Sequence, residues 1–279
     1  MNWLFFGSDE FSLKVLETLL PSPLGRPVAI ISLADQPAGR HQQLSSPPIV
    51  TWAQQNNFTY QQISSFKTTA LSVETPCDFF LVASFGKLIP ADIFNRPRYG
   101  TINIHPSLLP RYRGPTPIET AILQAESDNG VSLMLIDEQL DHGPLLAQRK
   151  IDLPLQSDFY YWRDHLASAG AELLVDIWSD YSQGILSPQP QAETLATYTR
   201  KFNKADGYLD LTGDPMLNYR RYLAFKHWPG VYTEVTKGSD KIRVLIKEAE
   251  LLNDTFVPRL VIPAGRRLMS WEDFQRSLK

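Results

Sequence analysis

An amide and an imidazole lie two positions apart at Asn103 and His105, where the apolar run Gly100–Ile104 ends. In an extended strand, residues i and i+2 point to one face, so the two polar tips share a side. Pro106 cannot donate to a ladder, which predicts a strand that opens into a loop at this point. In open α/β sheets, ligands bind beyond such strand ends. One of the pair can donate a hydrogen bond to a developing oxyanion while the other moves a proton. A carboxylate is at hand in Asp141, within the polar turn Asp137–Gly143 that follows the apolar run Val131–Ile136. If it reaches His105, it sets the ring's tautomer and counters its positive charge. No Ser or Cys nearby sits on a nucleophile elbow, Ser107 included. The trio therefore points to direct group transfer, without a covalent enzyme intermediate. Singly, each residue also suits a plain role, as a strand-end cap, a satisfied core histidine and a turn aspartate. It is their combination that points to chemistry.

The elements that must position these groups alternate between strand and helix. Apolar runs at Asn2–Phe6, Val28–Leu33, Phe79–Ser84 and Gly100–His105 read as buried strands. Ser8 or Asp9 can cap a first helix with Phe11, Val15, Leu16 and Leu19 on one face. Pro48–Asn56 and Pro117–Gln124 read as helices. Val131–Ile136 and Leu145–Ile151 read as an antiparallel excursion. A long helix follows from Ser157 to about Tyr181, with Tyr160, Leu166, Leu173, Leu174 and Ile177 as its buried side. This order predicts an α/β fold with a Rossmann-like, mostly parallel sheet. The first turn, Gly7-Ser8-Asp9, lacks the glycine pattern of a dinucleotide site. A segment rich in Pro, Gln and Ser, Gln183–Ala196, reads as a linker. Short β runs follow at Gly230–Thr236, Lys241–Ile246 and Arg259–Ile262.

Composition narrows the function class. The 279 residues are 43% hydrophobic, enough for a large core. No run of eighteen apolar residues predicts a membrane span. The N-terminal segment has no charged leader region. Cys77 is the only cysteine, which excludes an internal disulfide framework and a cysteine-rich zinc site and fits the cytoplasm. No metal is expected. Residues 1–199 hold 12 Lys and Arg against 20 Asp and Glu, a net of −8. Residues 200–279 hold 15 against 10, a net of +5. A basic C-terminal module on an acidic body suggests a polyanionic partner.

Three strings carry a resemblance: Ser84-Phe85-Gly86-Lys87-Leu88-Ile89-Pro90, the run from Asn103 through His105-Pro106-Ser107-Leu108-Leu109-Pro110 to Arg113-Gly114, and Asp137–Gly143. In order and spacing, residues 1–185 resemble the 10-formyltetrahydrofolate-dependent formyltransferases. The resemblance implies that Asn103, His105 and Asp141 are catalytic. It implies that the backbones of Phe85, Gly86, Lys87, Leu88, Ile89 and Pro90, and of Asp137, Glu138, Gln139 and Leu140, hold the folate's pterin ring. Ser107, Leu108, Leu109 and Pro110 match a folate-contacting motif. The formyl donor is then 10-formyltetrahydrofolate.

Further segments resemble the members of that family that act on initiator methionyl-tRNA. These are Asp35–Arg40 with Ser46–Pro48, Ala196–Asp210 with Ala224–Gly230, and Pro263–Phe274. They imply a catalytic domain over 1–183, a linker over 184–199 and an OB-like, tRNA-binding module over 200–279. The tRNA path is expected to use Arg40, Arg200, Lys201, Lys204, Arg220, Arg221, Lys226, Arg266 and Arg267. The loop after Arg40 reads His41-Gln42-Gln43-Leu44, poor in cations, so phosphate contact there is expected to be weak. The short stretch Lys247–Pro258 predicts a reduced barrel. The enzyme is expected to act as a monomer. The alternative is a sugar N-formyltransferase that shares the trio and acts on a nucleotide-linked amino sugar.

Overall fold

A computed structural model describes residues 1–38, 43–73 and 75–278. The backbone gathers into two compact units. The first comprises Met1–Pro115, Asp128–Asp152 and Arg163–Tyr198. The second comprises Thr116–Ser127, Leu153–Trp162 and the chain from Thr199 onward.

Along the chain run β1 (Trp3–Gly7), α1 (Glu10–Leu19), β2 (Ala29–Leu33), β3 (Gln36–Ala38), β4 (Gln43–Ser45), α2 (Pro48–Gln55), β5 (Tyr60–Ile63), β6 (Phe79–Ala83), α3 (Ala91–Phe94) and β7 (Thr101–His105). Next come α4 (Pro117–Gln124), β8 (Gly130–Leu135), β9 (Leu145–Lys150) and α5 (Phe159–Ser182). The C-terminal region adds α6 (Pro215–Phe225), β10 (Val231–Lys237), β11 (Asp240–Leu252), β12 (Thr255–Pro263), β13 (Met269–Ser270) and α7 (Trp271–Arg276).

The first unit is built on a seven-stranded sheet in the order β5-β2-β1-β6-β7-β8-β9. The five strands from β5 to β7 are parallel, and β8 and β9 continue antiparallel. The all-buried runs of β1 and β6 are what a sheet covered on both faces requires. On one face, Trp3 stacks on Phe79 at 5.4 Å between ring centroids, and Phe79 meets Trp178 at 4.3 Å. On the other, Leu4, Phe6, Ile31, Phe80 and Val82 form a second core with Phe85 and Ile89.

Helix α1 starts where Asp9 accepts a hydrogen bond from the Ser12 amide, and it buries Phe11, Val15, Leu16 and Leu19. In α5 the buried stripe runs through Trp162, Leu166, Leu173, Leu174 and Trp178. Tyr160, in the first turn, is exposed and Ile177 is half-buried although both keep helical spacing with the stripe, because burial depends on what each turn of the helix meets. Gly170 sits where α5 comes closest to β7. A Cβ there would lie 2.4 Å from Ile104 Cγ2, so the strand bearing Asn103 and His105 is backed at close range.

In the second unit β10, β11, β12 and β13 form an antiparallel sheet in that order. Residues between Lys247 and Pro258 lengthen β11 and β12 into one hairpin. Its two-residue turn, Asn253-Asp254, has positive φ at both positions (46° and 57°), the form that matches strand twist. Helix α6 begins at Pro215 after Asp214, whose side chain accepts from the amides of Met216 and Leu217. Lys226 Nζ pairs with Asp158 Oδ2 at 2.9 Å. Burial alone would raise the Asp158 carboxyl, but its bond to Lys226 outweighs that and holds it below the ordinary value. Burial likewise works against the Lys226 charge, and the same bond keeps the ammonium above its usual value.

Candidate active site

The C-terminal ends of β1, β6 and β7 lie side by side in the sheet. Asn103 sits on β7 in register with Val82 of β6 and Met134 of β8. It is half-buried, and its side-chain amide has no hydrogen-bond partner among the described residues. His105, on the same face, is buried. Its Nε2 lies 2.9 Å from the carbonyl oxygen of Tyr112. A carbonyl only accepts, so Nε2 carries the hydrogen and Nδ1 is left to take up or release a proton. Nδ1 faces Asp141 Oδ2 at 3.7 Å, with the two side chains 5% and 13% exposed. The three candidates from the sequence thus meet at one strand end.

Asp141 is aimed by its loop. Its Oδ2 accepts from the Gly114 amide at 2.7 Å. Its own backbone is left-handed, φ 50°. Two residues on, Gly143 passes so close to β8 that a Cβ would stand 1.9 Å from the carbonyl oxygen of Leu135. Only glycine fits there.

The two loop segments expected to hold a pterin ring share a property. Phe85 and Ile89 are buried in the core, while Leu88 is 73% exposed. The backbone groups of Gly86–Ile89 make no backbone hydrogen bond among the described residues, and neither do those of Glu138 and Leu140. Exposed, unpaired donors and acceptors on pinned loops suit a flat polar heterocycle. Lys87 reaches back to the Ser64 carbonyl at 2.5 Å, and Pro90 leads into α3. Asp137 caps its turn at the Gln139 amide and pairs with His142 Nδ1 at 2.6 Å.

The loop Ser107–Pro110 is held from beneath by Ser132, a residue the sequence reading passed over. Its hydroxyl donates to the Ser107 carbonyl (2.6 Å) and accepts from the Leu109 amide (3.0 Å). Gln148 Nε2 joins it, donating to Ser132 Oγ and to the Leu109 carbonyl, both at 2.8 Å. The available signal was a lone hydroxyl in the apolar run Val131–Leu135. Leu108 packs on Gly130, and the Ser107 hydroxyl donates to the Arg111 carbonyl at 2.7 Å.

Also passed over was Arg113, whose side chain is fully buried. Its guanidinium donates to both Glu193 oxygens, to Gln191 and to the Tyr198 hydroxyl. Burial works against its charge, but the Glu193 and Tyr198 bonds win and hold it above its usual value. The same bond to Arg113 holds the Glu193 carboxyl below its usual range. Asp9 behaves oppositely. Burial pushes its carboxyl up, against the opposing effect of its 2.5 Å bond from the Ser84 hydroxyl.

Of the basic residues expected on a tRNA path, Arg40 lies outside the described residues. Lys201 and Lys204 are exposed and make no ion pair among the described residues, whereas Arg200 pairs with Asp206. Arg220 and Arg221 are half-buried on α6, Arg221 donating to the Tyr208 carbonyl. Arg266 and Arg267 are exposed after β12, Arg266 bonding the Ser277 hydroxyl. Among the described residues there is no cluster of three or more His, Cys, Asp or Glu that could hold a metal, and no helix is long and apolar enough to cross a membrane.

The parallel sheet, with an amide and a paired imidazole at the end of β7, defines a class that comparison bears out. Residues 1–177 match the family model described as formyl transferase, and the chain belongs to that family. A methionyl-tRNA formyltransferase from Chloroflexus aurantiacus is 35% identical over 266 residues, covering 94% of this chain and 84% of the relative. Among solved structures, a methionyl-tRNA formyltransferase from Clostridium thermocellum shares the fold at TM-score 0.61 and 14% identity, covering 97% of this chain and 99% of that one. A sugar N-formyltransferase from a Shewanella species does so at 0.63 and 20%, covering 91% and 99%. At such identities fold likeness leaves the acceptor open, whereas the sequence relative spans both units.

Proposed function

We propose that the enzyme transfers the formyl group of 10-formyltetrahydrofolate to the α-amino group of methionyl initiator tRNA. The observation that carries this reading is the 35% identity to a methionyl-tRNA formyltransferase over 94% of the chain. A sugar enzyme has no evident use for the net +5 carried by residues 200–279. The folate supplies a formyl carbon already bonded to a nitrogen leaving group. Asn103, its amide without a partner, donates to the formyl oxygen, where negative charge develops as the amine attacks. His105 stabilises the same charge and handles the proton through Nδ1, because Nε2 is held by Tyr112. Asp141 counters the positive charge that forms as the amine bonds to carbon and loses its proton. That proton passes to the folate nitrogen as its bond to the formyl carbon breaks, so the products are the formylated amine and tetrahydrofolate.

On this reading Phe85–Pro90, Ser107–Pro110 and Asp137–Leu140 receive the folate. Residues 1–183 are the catalytic domain, 184–199 the connection, and 200–279 the RNA-binding module, with Arg200, Lys201, Lys204, Arg220, Arg221, Arg266 and Arg267 facing phosphates, joined by Arg40. The enzyme works in the cytoplasm as a single chain.

The test is a formyl-transfer assay with methionyl initiator tRNA beside nucleotide-linked 4-amino sugars. Formyl-methionyl-tRNA as product, at a rate that falls steeply with salt when tRNA is scarce, is the expected result. Transfer to the sugar alone overturns the acceptor.

A further inference from the structure

The segment Gln189–Tyr198, between the catalytic core and the residues that follow, is bound to the two loops that flank His105. Gln189 exchanges backbone hydrogen bonds with Leu145 at 2.7 and 2.8 Å. Thr197 accepts the Arg113 amide at its carbonyl (2.9 Å) and the Tyr112 amide at its hydroxyl (2.8 Å). The buried Arg113 sends its side-chain bonds to Gln191, Glu193 and Tyr198 of this same segment.

Gln191 connects that cation to the catalytic loop. Its Oε1 accepts from Arg113 Nε and Nη2, at 3.1 and 2.9 Å. Its Nε2 donates to the backbone carbonyls of Asp141 and Gly143, at 2.9 and 2.8 Å. Both lone pairs and both hydrogens of the amide are thereby used. The flipped orientation is forbidden, since it would set NH₂ against a guanidinium and an oxygen against two carbonyls. Asp141 and Tyr112, the two non-glycine residues flanking His105, are both left-handed, at φ 50° and 59°. Such a backbone persists only where its surroundings impose it. Here the segment imposes it at both, through Gln191 on Asp141 and Thr197 on Tyr112.

We propose that Gln191, oriented by Arg113, is a positioning residue for formyl transfer: it holds the loop 141–143 so that the Asp141 carboxylate faces His105 Nδ1. The proposal rests on the roles given above to Asp141 and His105. It makes the segment a working part of the active site as well as a connection.

The experiment is a kinetic double-mutant cycle on the full-length enzyme, with Gln191→Glu and Gln191→Ala each made alone and with Asp141→Asn. Gln191→Glu keeps the shape and removes both donations, and Gln191→Ala serves if that carboxylate unsettles the fold. The expected result is a 10- to 100-fold loss of kcat, with both KM values within threefold of wild type. In the Asp141→Asn background the same change should cost less than threefold, because the group it positions is gone. Equal losses in both backgrounds, or no loss in the first, overturn the proposal. If the wild type proves inert toward methionyl-tRNA and transfers to an amino sugar, the cycle is run with that acceptor. The acceptor reading then fails on its own, and the positioning is still decided.

Discussion

Replacing Asp141 with Asn removes one charge while leaving the loop nearly intact, since an amide oxygen can still accept from the Gly114 amide now 2.7 Å from Oδ2. On the proposed roles, what is lost is the attraction between a carboxylate and the positive charge that would build on His105 during transfer. At the 3.7 Å that separates Nδ1 from Oδ2, and with an effective dielectric of about 20, that attraction is about 4 kcal/mol. Each 1.36 kcal/mol is a factor of ten in rate, so about three powers of ten is the ceiling. The remaining amide dipole recovers part of it. The expected fall in kcat is therefore about 10²- to 10³-fold, with KM for folate and for tRNA within about threefold and thermal stability nearly unchanged. Steady-state formylation of methionyl initiator tRNA reads the first three quantities and calorimetry the last. Asp141→Ala should in addition destabilise, because it leaves the Gly114 amide without its acceptor. A folded Asp141→Asn enzyme with kcat within threefold of wild type would falsify the electrostatic role.

Asn103→Ala should lower kcat by about 10²- to 10³-fold while leaving the melting temperature unchanged, because its amide satisfies no other group among the described residues; a melting shift that matched the rate loss would make it a structural residue. Gly143→Ala should cost about 2 kcal/mol or more of stability and most of the activity, because the new Cβ meets the Leu135 carbonyl oxygen at 1.9 Å; a variant with the wild-type melting curve contradicts that geometry. The Asp158 carboxyl is held below its ordinary value of 3.8, so its bond to Lys226 stabilises fully above that pH and is lost as pH falls through the lowered value. Lys226→Met should flatten that acid limb in melting experiments between pH 5 and pH 2, and an unchanged limb would show that other carboxylates set it.

The strand and helix order was legible because apolar periodicity is a local property. A parallel sheet built of buried runs such as Phe79–Ala83 leaves long apolar stretches. The placement of Asn103 and His105 on one face followed from the two-residue repeat of a strand and from the proline that ends it. The far ends of β11 and β12 were less legible. Their outer halves mix exposed Glu248, half-buried Glu250 and buried Phe256 and lack a sustained apolar run, although Asn253-Asp254 was a turn signal. In α5 the length of the helix was legible and its buried side only partly, since the position of a stripe depends on what the helix meets.

The polar framework around the trio is of another kind. Arg113 and Gln191 are 78 positions apart, and Gln191 and Asp141 are 50 apart. Nothing in Pro188–Gln191 marks a glutamine as the partner of a buried arginine. The alternating elements and the strand end that presents an amide beside an imidazole were written locally in the chain, because steric periodicity and proline act within a few residues. That Asp141 stands 3.7 Å from His105, with Gln191 of a downstream segment bonded to its backbone carbonyl, came from the folded chain alone. Hydrogen bonds between distant parts of a chain form only once burial has brought them together, and an arginine can be buried only where every donor then finds an acceptor.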